Sequence, residues 1–248
     1  MDNNTQEKKN PDILSAQIDL ALPLLDSIGA ACAMATFAKM FYDSATDEKS
    51  KEQSGRLMNK IRVGTIGLLK ALKEYYDATQ NKSPLVTAAS ILQSKAQPAI
   101  GKWETTKDRF ISFIERNGIS MEDVENAIKV PADQATTMHV WTYGISALKE
   151  LHENMQVIWT FSQRVPKKHG TRLLEQASHA QITRNMLFKD LADYAEACVD
   201  VENDQSEPTV RLMYSWANAV IDSAEDAFKF AQHLENELTA VAAELDEK

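Results

Sequence analysis

"VRLMYSWANAVIDSAEDAFKFAQHLENELTAVAAEL", residues 210–245, decides the fold. Its apolar residues step by three and four: Val210, Met213, Ala217, Val220, Ala224, Ala227, Ala231, Leu234, Leu238, Val241, Leu245. A strand would alternate with period two, so this spacing specifies a helix. The seam persists for about five heptads, beyond the three or four that mark a coiled coil. Its middle is alanine, which lets a partner helix approach closely. Tyr214, Ile221 and Phe228, seven apart, form a second apolar ridge beside the seam. A helix with two ridges meets more than one neighbour. These three residues are the predicted oligomer interface, with a second copy of the chain as partner, a dimer being the simplest assembly.

Outward from this helix, "NDQSEP" at 203–208 breaks the chain, with Ser206 as candidate N-cap. Before the break runs another 3–4 pattern, Leu173, Ala177, Ala180, Arg184, Leu187, Leu191, Tyr194, Cys198, Val201. It is preceded by "QRVPKKHGTR", residues 163–172, a turn with proline and glycine. Earlier patterns are also helical: Leu14 to Ala35, Leu57 to Tyr75, Leu92 to Phe113 and Met138 to Trp159. Two joints, "TQNKSP" and "RVPKKHG", divide the chain into blocks at 11–81, 83–165 and 170–248. Ser83-Pro84 reads as a helix start. "YDSATDEKS" predicts a break inside the first block. Pro23 and Pro98 predict kinks or stops, since each removes a helical hydrogen bond. "RNGISMEDVENAIKVP" predicts a turn, a short helix with a Ser120…Asp123 capping box, and a stop near Pro131. No strand candidate survives. The predicted fold is all-α: an elongated antiparallel helical bundle or coiled coil of three long, kinked blocks. Residues 11–248 form one domain, and 1–10 a disordered tail.

The 248 residues are 44% hydrophobic and 25% charged, an ordinary globular balance. Eight glycines and seven prolines are too few for a many-turned β protein. The nucleotide-binding and nucleophile-elbow glycine motifs are missing from the sequence. Charge is uneven. Residues 190–248 hold 15 acids and 3 bases, net −12; residues 1–189 hold 21 acids and 24 bases, net +3; together they give −9. Such an acidic balance disfavours nucleic acid as a partner, because phosphate neutralisation dominates that binding. The polar start, "MDNNTQEKKNPD", is unlike a signal peptide, and Cys32 and Cys198 read as reduced core thiols. The expected location is cytoplasmic, peripheral to membranes.

Chemistry-bearing constellations are sparse. The five histidines form no H-E-x-x-H or E-x-x-H pattern, so no metal or cofactor is expected. Glu175 and His179 share a helix face and read as a solvated pair. His152 sits on a seam and reads as a hydrogen-bonded core histidine. Trp103, Trp141, Trp159 and Trp216 read as core. The acid pairs Asp190/Asp193, Asp200/Asp204 and Glu225/Asp226 read as a solvated face. No catalytic residue is assigned, and the chain is expected not to be an enzyme. The densest basic cluster, Arg164, Lys167, Lys168 and Arg172, lies at the 163–172 turn. It is the candidate contact with an anionic membrane surface, where each charge contributes about 1 kcal/mol at best.

In block length and in the Arg164–Arg172 tip, the layout is similar to BAR-type domains, which form crescent dimers that sense or shape membranes. The acidic third block and the breaks near Gly118–Pro131 and Pro208 depart from that pattern. The expected function is a non-enzymatic helical scaffold that self-associates and binds a membrane surface or partner proteins. Two alternatives stand beside it. One is an α-helical pore-forming protein, with Ser27–Ala38 as the inserting segment between Asp26 and Lys39. The other is a helical-bundle enzyme with an apolar pocket.

Overall fold

The computed structural model describes residues 13–80, 90, 92–120 and 137–246. Six α-helices and no strand occur among them: α1 (Ile13–Ser44), α2 (Glu48–Gln80), α3 (Gln97–Arg116), α4 (Thr137–Ser162), α5 (Lys167–Asn203) and α6 (Glu207–Asp246). A π-helical turn, Leu92–Ala96, leads into α3. The all-α class follows directly, and the helices pack as a bundle. The disordered tail at 1–10, the Ser83-Pro84 helix start and the Ser120…Asp123 helix lie outside the described residues.

The pairs α1–α2, α2–α3, α4–α5 and α5–α6 run antiparallel. In the first pair, Gly55 of α2 lies under the Tyr42 ring of α1. In the last three, Trp141 of α4 meets the Tyr194 ring of α5 at 5.7 Å, and Ser223 of α6 meets Asp190 of α5 at 2.5 Å. The two groups join where α2 packs on α5 through Tyr76 and Phe188, rings 5.6 Å apart, and where α1 packs on α4. Helix α3 covers α1 and α2, with the Phe110 and Phe113 rings against Phe37 and Phe41. The core runs through all six helices, and Trp103 and Trp141 are its largest fully buried side chains.

The α6 seam is buried at Met213, Ala217, Val220, Ala224, Ala227, Ala231, Leu234 and Val241, and half-buried at Val210, Leu238 and Leu245. It lies against α5 and α4 of the same chain. At their closest approach, Gly144 of α4 has no room for a side chain: an added Cβ would stand 2.6 Å from Val220 Cγ1 and 2.9 Å from Leu191 Cδ2.

The breaks fall where the short polar side chains cluster, with several differences in detail. The first block divides between Ser44 and Glu48, and Asp47 caps α2 by accepting from Ser50 N at 2.9 Å. Those Ser50 hydrogen bonds hold the Asp47 carboxyl below its ordinary range. Helix α6 begins after "NDQS", but Asp204 organises the turn. Its carboxylate accepts from Ser206 N, Ser206 Oγ and Thr209 Oγ1, while Ser206 Oγ bonds side chains only. Pro23 stops nothing: α1 runs through it. The proline sits on the exposed face, so water reaches the carbonyl it leaves unpartnered, while Leu24, Leu25 and Ile28 bury the other face. Pro98 marks the first turn of α3, where its missing N–H is not needed. Gly170 belongs to no loop. The turn is Gln163–Pro166, and Gly170 lies in the first coil of α5, where a Cβ would stand 2.6 Å from the Ser162 carbonyl oxygen.

Candidate functional site

The basic turn separates into two parts. Arg164, Lys167 and Lys168 are exposed around Pro166 and the start of α5. Arg172, one turn on, reaches across to α6: Nε donates to Glu237 at 2.8 Å and Nη1 to Glu244 at 2.9 Å. Buried His169 adds Nδ1 3.4 Å from Glu244. The antiparallel packing of α5 on α6 therefore brings the acidic end of the chain to the basic turn. Sequence reasoning missed this pairing because the two segments are 65 and 72 residues apart.

The second ridge of α6 is unevenly covered. Tyr214 is 59% exposed, and Leu212, on a different face of α6, 49%. Ile221 and Phe228 are half-buried, and the Phe228 ring lies 5.3 Å from Tyr143 of α4. The ridge thus meets α4 at Phe228, while the seam faces both α5 and α4. The exposed apolar surface of α6 is confined to its N-terminal turns, where Lys189 of α5 also sits 4.7 Å over the half-buried Trp216 ring. On α5, Leu174, Ile182 and Met186 are exposed as well.

Of the three acid pairs, Asp200, Asp204, Glu225 and Asp226 are exposed, but Asp190 and Asp193 are drawn into contacts with neighbouring helices. Asp190 is buried and accepts from Ser223 Oγ at 2.5 Å. Asp193 takes Lys189 at 2.6 Å and Lys73 of α2 at 3.4 Å, and Lys73 also meets Glu196 at 2.9 Å. Burial pulls the Lys73 ammonium down. The hydrogen bond and charge of Glu196, with Asp77 and Asp193, outweigh that and hold it above its ordinary value. This network ties α2 to α5. Glu175 and His179 are both exposed. Among the described residues no three His, Cys, Asp or Glu side chains converge as a metal site.

Trp103 and Trp141 are core, and Trp159 and Trp216 are half-buried against it. Burial, and then the nearby Cys198, push the Cys32 thiol up to about 12, which leaves it un-ionised at neutral pH. His152 is 2% exposed, and its Nε2 lies 2.7 Å from Asp19 Oδ1 of α1.

Asp19 also lines a cavity of about 410 Å³ between α1 and the start of α3. Its apolar wall is Pro23, Leu24, Ala96 and Ile100, and its polar rim is Asp19, Gln93 and Gln97, with Leu20 beside them. The rim residues are exposed, so the cavity opens to solvent. No sequence motif announced it, because its walls come from segments some 70 residues apart. No family model, curated protein or solved structure matches this chain.

Proposed function

We propose that the chain is a non-enzymatic, elongated helical scaffold that self-associates and docks on an anionic membrane surface or partner proteins. The observation that carries this is Tyr214, 59% exposed at the start of the second ridge on an otherwise packed helix. It is in register with the half-buried Ile221 and Phe228, so the three form one apolar strip along α6. A homodimer through the N-terminal turns of α6 covers Tyr214, with Ile221 and Phe228 as a half-buried margin. Tyr214→Glu leaves stability within about 0.5 kcal/mol, since the site is wet. It converts a dimeric parent to monomer in sedimentation equilibrium. A parent that is monomeric at high micromolar concentration removes the self-association.

The membrane part rests on Arg164, Lys167 and Lys168, with Arg172 engaged by Glu237 and Glu244. The triple change of these three exposed bases to Glu lowers co-sedimentation with phosphatidylserine vesicles, and added salt does the same to the parent. Equal binding by parent and variant removes this contact.

A second reading is favoured by α1. Its stretch Asp19–Ser44, 26 residues, is long and apolar enough to cross a membrane, and about half of it is buried in the bundle. An α-helical pore former would release this helix into lipid. Dye leakage from the same vesicles distinguishes the two: a docking scaffold binds without leakage, whereas a pore former empties them.

A further inference from the structure

We infer that the cavity between α1 and α3 is a binding site for a small amphipathic amine, an apolar body ending in a protonated nitrogen. This goes beyond the scaffold reading and does not depend on it. Three features of the cavity converge.

The volume, about 410 Å³, falls within the roughly 300–1,000 Å³ of small-molecule sites. The wall is apolar, built by Leu24, Ala96 and Ile100. Leu24 and Ala96 are themselves buried, so the floor is made of core side chains and is preformed. At the mouth, Leu20 leaves 41% of its surface exposed, which a bound apolar group would cover.

The polar rim has one ionised group, the Asp19 carboxylate, beside two neutral carboxamides, Gln93 and Gln97. No cationic side chain lines the cavity among the described residues. An ammonium donates up to three hydrogen bonds and accepts none. A carboxylate with two carboxamide oxygens is the matching acceptor set. An anionic head would instead face Asp19 without a counter-charge. His152, beneath Asp19, meets Oδ1 at 2.7 Å. His152 acts here as a positioning residue, since it reaches the site only through Asp19.

The rim is delivered by an irregular element. Gln93 and Ala96 come from the π-helical turn Leu92–Ala96. A π-turn forms poorer hydrogen bonds than an α-turn and is concentrated at functional sites. The turn runs directly into α3, so Gln93 and Ala96 share one face with Gln97 and Ile100 at the cavity.

The test is calorimetric titration of the full chain with three ten-carbon probes below their micellar concentrations: decylammonium, decanoate and decyl maltoside. Decylammonium is expected to bind about tenfold more tightly than the other two. Asp19→Asn should remove that preference while leaving helicity unchanged, because Asp19 is exposed. Gln93→Glu, which adds a second rim carboxylate at another exposed position, should raise decylammonium affinity. Ile100→Trp should fill the cavity and abolish binding of all three. Equal affinity for the three probes overturns the inference. So does decylammonium binding that is indifferent to Asp19→Asn and Gln93→Glu, or that survives Ile100→Trp.

Discussion

Ala224→Glu is expected to leave no folded protein. Ala224 is completely buried in the middle of the α6 seam, facing α5 and α4. The new side chain must place a carboxylate where alanine leaves room for a methyl group. An uncompensated buried charge costs about 3–5 kcal/mol, and the added volume a further ~1–3 kcal/mol. A domain's whole stability is about 5–15 kcal/mol, so the two costs consume most of it. Far-ultraviolet circular dichroism should show the loss of helix, or a thermal midpoint near room temperature. Asn236→Glu, the same charge on the exposed face of the same helix, is the control and should melt like the parent. A folded Ala224→Glu with unchanged melting would mean that α6 does not pack by its seam.

Gly144→Ala is expected to destabilise although alanine is the better helix former by about 1 kcal/mol. The added methyl meets Val220 Cγ1 at 2.6 Å and Leu191 Cδ2 at 2.9 Å. Valine is stiff at χ1 and cannot swing away within its helix. The strain of overpacking, about 1–3 kcal/mol, therefore exceeds the propensity gain. The diagnostic is a double-mutant cycle with Val220→Ala. That change alone opens a cavity, but in the Gly144→Ala background it removes the clash. The two costs should fall short of additive by about 0.5–3 kcal/mol in urea unfolding. Strict additivity would show that α4 and α6 do not touch at this level.

The helices were legible because burial of one face imposes a 3–4 spacing that survives in the sequence. Eight of the eleven seam positions from Val210 to Leu245 are buried, and the other three are half-buried. His152 was recognisable as a core histidine for the same reason, since it occupies a seam position. What one stretch cannot encode is its neighbour. Gly170 looked like a turn residue because glycine serves both loops and close approaches; only the Ser162 carbonyl above it decides which. Pro23 looked like a kink or a stop because propensity counts the lost hydrogen bond but not the direction the proline faces. Asp190 looked solvated because its partner, Ser223, is 33 residues away on another helix. Arg172 looked like part of one basic patch, and its acids come from the far end of the chain. The cavity was invisible for the same cause: each wall residue is unremarkable in its own segment.

The alanines of α6 have a thermodynamic consequence of their own. Ala217, Ala224, Ala227 and Ala231 are buried side chains with no rotamers to lose. A leucine at each place would surrender about 0.5–1 kcal/mol of side-chain entropy on ordering. The middle of α6 is thus immobilised at almost no side-chain entropic cost. It also removes little apolar area from water at each position. The larger residues toward the ends, Met213, Leu234 and Val241, supply the area that fixes the longitudinal register. The helix is held in position from its ends, while its centre sets how near the neighbouring backbones come.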